Sequence, residues 1–115
     1  RRVLFTAKHS QLVLMNLKPG EEIGEEVHGM DQFIRFEEGE GTVVLDGEKH
    51  AVSDGFAVVI PAGTRHNVVN SGKTAALKLY SLYSPPEHKD GIIHKTKQEA
   101  DADHDHHFDG RTSMK

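Results

Sequence analysis

Short β-prone runs separated by turn residues recur through the first 83 residues, and this pattern constrains the fold more than any other feature of the sequence. The turns combine glycine with proline, aspartate or asparagine, the residues that tight turns favour. Asp46-Gly47 is the strongest hairpin signal, because a type I′ turn needs positive φ at both central residues. The pattern predicts an all-β sandwich or small barrel. We expect strands over residues 11–17, 25–28, 32–36, 42–45, 49–52, 56–60, 66–70 and 75–83.

Composition narrows the function classes. A chain of 115 residues is long enough for one hydrophobic core, and no window approaches the roughly 18 consecutive apolar residues of a membrane helix. The absence of cysteine excludes disulfides and thiolate ligands, and the start of the chain lacks a signal-peptide profile, so cytoplasm is the expected compartment. A net charge of −4 without a basic stripe argues against nucleic acid as a partner. Small molecules and proteins remain as possible partners.

The last third of the chain differs in composition. After Ser84 the sequence becomes polar, and Thr96-x-x-Glu99 is a capping box that predicts one short helix. We therefore divide the chain into a barrel over residues 1–83 and an extension over residues 84–115, which contains a loop, the helix and a His/Asp-rich tail.

Histidines in this extension have two interpretations. The tract Asp103-His104-Asp105-His106-His107 could bind a metal, but adventitious binding or plain solvation is the favoured interpretation of such a polar tract. His88 and His94 could fold back over the mouth of the barrel, although a surface loop is expected instead.

A histidine follows a turn within the stretch from Gly55 to Asn70. The apolar run ends at Pro61 and Gly63, and His66 then opens the next predicted strand. An imidazole at the start of a buried strand points at one face of a sheet, where a metal ligand or a substrate contact would lie.

An earlier segment supplies polar partners for this histidine. Glu26 and His28 are two residues apart, so they share a face of an extended strand, and Gln32 faces inward with Ile34 and Phe36 if alternation holds. Together with His66, these side chains form a candidate metal site.

The two segments resemble the cupin family. The second motif of that family, Gly-x5-Pro-x-Gly-x2-His-x3-Asn, is matched in full, while the first keeps its spacing but changes two ligand types. Glu26 stands where a histidine is usual, and Gln32 stands where a glutamate is usual. The matched positions are Gly20, Glu26, His28, Gln32 and Gly39 in the first motif and Gly55, Pro61, Gly63, His66 and Asn70 in the second.

The resemblance implies a double-stranded β-helix, which is a jelly-roll-like barrel, and a divalent metal held by Glu26, His28, Gln32 and His66. These four side chains carry one negative charge, as the usual three histidines and one glutamate do. Two histidines and one carboxylate suit non-haem iron, and mixed nitrogen and oxygen donors also accept Mn, Co, Ni or Zn. Gln32 could instead bond a ligand or a metal-bound water, and Glu26 could turn outward or act as a catalytic base.

For function we carry two hypotheses. The first is a metal-dependent enzyme acting on a small oxygen-rich molecule, by sugar-phosphate-type isomerase or by dioxygenase chemistry. The alternative is a non-catalytic binding or sensor module, which the lack of a secure inward lysine, arginine or tyrosine favours. Inward residues predict an apolar pocket. Phe33 on the outer face suggests a homodimer formed by sheet-on-sheet contact.

Overall fold

The computed structural model describes residues 1–113, so that Met114 and Lys115 of the expected C-terminal extension lie outside the described residues. Eight strands and one short helix follow one another along this part of the chain. They are β1 (Arg2–Thr6), β2 (Gln11–Leu17), β3 (Asp31–Glu38), β4 (Gly41–Leu45), β5 (Glu48–Val52), β6 (Ala57–Ile60), β7 (His66–Val69), β8 (Leu77–Ser84) and α1 (Lys97–Ala102).

The strands form two antiparallel sheets. The larger sheet has the order β1-β2-β8-β3-β6, and the smaller has the order β5-β4-β7. Alternating side chains of each sheet point toward a shared core, as period-two geometry requires. The inward positions that we expected on β3, β7 and β8 are confirmed as buried. They are Gln32, Ile34, Phe36, His66, Val68, Leu77 and Leu79.

The predicted strands are confirmed with one exception. Residues 25–28 do not form a strand, because Gly24 adopts a φ of 107° and leaves Glu26 as an isolated bridge to His66. One strand, β1, was not predicted. The β4–β5 hairpin turns at Asp46 and Gly47 with φ of 47° and 83°, as a type I′ turn requires.

The segment after β8 folds back onto the larger sheet. The predicted helix is present as α1, and the Thr96 hydroxyl accepts a hydrogen bond from the Glu99 backbone N–H at 3.1 Å. His88 and His94 are both buried, so the expectation of a surface loop is wrong. The cause is backbone pairing on both sides of the segment. Next to His88, the Lys89 N–H donates to the His106 carbonyl and the Phe108 N–H donates to the Glu87 carbonyl. The His94 N–H donates to the Arg1 carbonyl.

Of the residues between 1 and 113, none belongs to a helix that is both long enough and apolar enough to cross a lipid bilayer.

Candidate metal site

A pair of backbone hydrogen bonds places Glu26 against His66. The Glu26 N–H donates to the His66 carbonyl at 2.8 Å, and the His66 N–H donates to the Glu26 carbonyl at 2.9 Å. Directly opposed residues of an antiparallel bridge project their side chains to the same face. The Gly63 N–H also donates to the His28 carbonyl, which ties the Pro-Gly turn to the same segment.

His28 completes a cluster with these two residues. Its Nε2 lies 2.7 Å from Glu26 Oε2, and its ring centroid is 4.9 Å from that of His66. One potential ligand atom from each of Glu26, His28 and His66 lies within 4.8 Å of the others. Three of the four side chains predicted from the sequence are therefore brought together.

The charges of Glu26 and His28 favour each other. Burial by itself raises the pKa of Glu26, but the hydrogen bond and the charge of His28 outweigh it, so this pKa lies below its ordinary value. Burial likewise lowers the pKa of His28, but the hydrogen bond and the charge of Glu26 raise it overall. An ionised Glu26 and a protonated His28 therefore stabilise each other.

The tautomer of His66 suits metal binding. Its Nδ1 lies 2.9 Å from the Thr64 carbonyl, which can only accept, so Nδ1 carries the proton. Nε2 is then left with a free lone pair. A backbone carbonyl that fixes the outer nitrogen in this way is a common support for a metal-binding imidazole.

Gln32 lies behind the cluster. Its Nε2 donates to Ser81 Oγ at 3.1 Å and to the Tyr83 hydroxyl at 3.2 Å. The rings of Tyr83 and His28 are nearly perpendicular, with centroids 6.1 Å apart. The amide oxygen of Gln32 is buried and has no hydrogen-bond partner among residues 1–113. An unpaired buried oxygen costs free energy, so a metal or a metal-bound water beside it fits the residues present.

Glu87 and Tyr83 are two site residues that sequence reasoning missed. Glu87 Oε2 lies 3.8 Å from His28 Nδ1, and burial raises the pKa of this carboxyl. Burial also raises the pKa of Tyr83 well above its ordinary range. The alternation that turns Leu77 and Leu79 inward also turns Tyr83 inward. The prediction that the barrel has no secure inward tyrosine is therefore wrong. No pattern in the sequence pointed to Glu87.

A small polar pocket meets the cluster at Glu26, the one cluster residue among those that line it. Glu26, Glu87, His88 and His106 are among the residues lining a space of about 280 Å³. The expectation of an apolar cavity is wrong here, because inward residues such as Ile34 and Phe36 fill a solid core instead.

Two basic side chains form ion pairs at the surface. Lys78 pairs with Glu38 at 3.2 Å, and Arg65 faces Glu25 at 3.8 Å, with more than half of each side chain exposed.

An antiparallel barrel with histidines and a carboxylate at one end is the architecture of a cupin, and this chain belongs to that family. The family model described as "Cupin domain" matches residues 13–83.

Two uncharacterized proteins are similar to the chain. YrkC of Bacillus subtilis is 48% identical over 112 residues, which cover 91% of this chain and 60% of that protein. L612 of Acanthamoeba polyphaga mimivirus is 49% identical over 98 residues, which cover 81% of this chain and 61% of that protein. The chain thus spans about three fifths of these curated relatives.

Solved structures share the fold. The crystal structure of BH2720 from Bacillus halodurans has 46% sequence identity and a TM-score of 0.86, and the match covers 90% of this chain and 83% of that chain. A predicted oxalate decarboxylase from Thermotoga maritima has a TM-score of 0.64, with 68% of each chain covered. At 23% identity, that likeness concerns the fold alone.

Proposed function

We propose that this cupin is a metal-dependent enzyme that acts on a small, uncharged, oxygen-rich molecule at Glu26, His28 and His66. The observation that carries the proposal is the convergence of two imidazoles and one carboxylate, of which the carboxylate, Glu26, lines a polar pocket. Two histidines and a carboxylate leave positions open for substrate on a divalent ion such as Fe, Mn, Co, Ni or Zn.

The pocket supports the uncharged character of the substrate. Four carboxylates and four histidines line it, and Arg1 is the one lysine or arginine among its lining residues. A phosphate dianion would be repelled by these carboxylates, so the pocket favours a neutral polyol, enol or enediol over a sugar phosphate. A divalent ion there would bind adjacent oxygens and stabilise the negative charge that develops on them.

Glu26 is better suited to holding the metal than to serving as the base. A general base works best when its pKa lies near the working pH, whereas the pKa of Glu26 is lowered. A carboxylate that stays ionised is a suitable metal ligand. The second role considered for Glu26 is that of catalytic base. In that role, replacing Glu26 would abolish turnover but leave the metal bound.

Elemental analysis of protein purified without an affinity tag tests the site. Glu26→Ala and His66→Ala should each lose one equivalent of bound metal, while two matched controls should keep it. The controls are Glu25→Ala, an exposed neighbour, and His50→Ala, an exposed histidine on β5. Full metal content in both site variants would place the ion elsewhere.

Turnover by the metal-loaded protein tests the reaction class. Small polyols, enols and catechols serve as probes, with oxygen uptake reporting dioxygenase chemistry and proton NMR reporting isomerisation. Turnover should stop after chelation and return when metal is restored. Metal-dependent binding of a probe without any turnover would favour the alternative, a non-catalytic binding or sensor module.

A further inference from the structure

A second cluster of metal-binding groups lies beside the first, in the segment that follows β8. One potential ligand atom from each of Glu87, His88 and His106 lies within 4.8 Å of the others. We propose that these three side chains form a second divalent-metal site, best suited to zinc, which fastens the C-terminal segment to the barrel.

The spacing of the two imidazoles supports this site. Nδ1 of His88 and Nδ1 of His106 lie 3.1 Å apart. Two nitrogens bound to one tetrahedral zinc at about 2.0–2.1 Å are roughly 3.3 Å from each other. The observed spacing is close to that value, so small side-chain movements would accommodate the ion. Without a metal, the two nitrogens can only share one proton.

His88 also carries a buried ring nitrogen without a partner. The residue is 2% exposed, and its Nε2 has no hydrogen-bond partner within residues 1–113. Buried polar atoms normally have partners, so protein groups alone do not satisfy this imidazole. Zinc on Nδ1 would fix the proton of His88 on Nε2 and would replace the N–H···N contact with His106.

The backbone of the cluster is held in place before any metal binds. The buried Gln11 amide accepts hydrogen bonds from the N–H groups of Glu87 and His88 and donates to the His88 carbonyl. On the other side, His88 and His107 form an antiparallel bridge, flanked by the bond from Lys89 N–H to the His106 carbonyl. The ligands therefore sit on paired backbone, as a rigid metal site requires.

Two histidines and one carboxylate are a donor set that binds zinc and leaves a fourth position for water. All three side chains line the pocket described above, so an ion has a path of entry. His107 lies 3.5 Å from Glu87 through Nδ1, but its side chain is 71% exposed, and we place it at the rim rather than in the ligand set.

Zinc titration of tag-free, metal-stripped protein tests the second site, with His66→Ala as the background so that the first cluster is impaired. Calorimetry should detect one bound zinc in this background. Adding His106→Asn should weaken that binding at least 100-fold, whereas adding His104→Asn, at an exposed neighbouring position, should leave it unchanged. Equal zinc binding by the His106 and His104 variants would overturn the proposal.

Cobalt and protease sensitivity provide independent readouts. Cobalt bound to the His66→Ala protein should give visible absorption that the His106→Asn change removes, and zinc should protect the segment after α1 from proteolysis only when His106 is present. If His106→Asn fails to fold, Glu87→Gln provides the same comparison with little change in side-chain volume. One outcome separates the two proposals. If His106→Asn abolishes zinc binding while His66→Ala alone leaves the amount of bound zinc unchanged, the second site is supported and the metal site at Glu26, His28 and His66 is refuted.

Discussion

The side-chain amide of Gln11 holds the backbone of His88 from both sides. Gln11 Oε1 accepts from the His88 N–H at 2.9 Å, and Gln11 Nε2 donates to the His88 carbonyl at 2.7 Å, across 77 residues of sequence. The same amide also bonds Thr6 Oγ1 and the Glu87 N–H. A single buried side chain thus joins β2 to the loop that carries both Glu87 and His88.

Replacing Gln11 with alanine should lower the free energy of unfolding by about 2–4 kcal/mol, because buried donors and acceptors at Glu87 and His88 would lose their partners. Urea unfolding followed by circular dichroism measures the change. The control is Asn16→Ala at an exposed position on the same strand, which should change stability by less than about 0.5 kcal/mol. Similar midpoints for the two variants would contradict this account of Gln11.

Replacing Asn70 with alanine should destabilise the fold without removing metal. Asn70 is fully buried; its Nδ2 donates to the carbonyls of Leu17 and Ala75, and its Oδ1 accepts from the Gly72 N–H. We expect a loss of about 2–3 kcal/mol, since these groups would remain buried and unpaired. Thermal unfolding and elemental analysis of the same sample measure both effects. Metal loss from a folded Asn70→Ala protein would assign this residue to the site as well.

The Glu26–His28 pair should stabilise the metal-free protein most strongly between pH 4.5 and 6.5, the ordinary pKa values of the two groups. The lowered pKa of Glu26 contributes stability above pH 4.5 that is lost as the pH falls through the folded-state value. The raised pKa of His28 contributes stability below pH 6.5 that is lost as the pH rises through its folded-state value.

The difference in unfolding free energy between wild type and Glu26→Gln, measured in chelator across this range, should therefore be largest in the window and smaller on both sides. Glu25→Gln, at the exposed neighbouring position, should give a flat difference. A difference for Glu26→Gln that is constant from pH 4 to pH 8 would show that the two groups do not interact in solution.

A row of apolar side chains crosses the outer face of the larger sheet and predicts a homodimer. Phe5, Leu12, Leu82, Phe33 and Val59 are successive partners in register on neighbouring strands. Val59 is 63% exposed, and contiguous apolar surface of this kind often marks an interface. Val59→Asp should give a monomer by light scattering, whereas Val27→Asp, which lies outside the sheets, should not. A wild-type protein that is itself monomeric would refute the prediction.

The sequence predicted the elements that depend on local patterns. Period-two alternation located the inward residues of β3, β7 and β8, and the Asp46-Gly47 turn followed from the need for positive φ. The same alternation predicted that Glu26 and His28 share a face, and they do so although residues 25–28 are not a strand. Motif spacing then linked this pair to His66.

The parts of the fold and of the site that the sequence did not predict depend on contacts between distant residues, which no local pattern encodes. His88 and His106 are 18 residues apart in polar sequence, and their contact exists because backbone pairing at residues 87–89 folds the segment inward. Residues 25–28 read as a strand, but Gly24 before them adopts a φ of 107° and Glu26 forms an isolated bridge to His66, and no local pattern encodes either feature. Strand β1 was not predicted, because a register shift between Val3 and Phe5 breaks strict alternation and its buried residues are Val3 and Thr6, three positions apart.

The spread of these contacts along the chain has a consequence for folding order. The β4–β5 hairpin closes across two residues, whereas the contact between Gln11 and His88 closes a loop of 77 residues. Loop-closure entropy makes the hairpin inexpensive to form early and delays contacts between distant residues. Pairing of β2 with β8 places Gln11 opposite Tyr83, so the contact with His88 can form once that pairing has closed most of the same loop. We therefore expect the pocket wall formed by Glu87, His88 and His106 to assemble after the barrel that supports it.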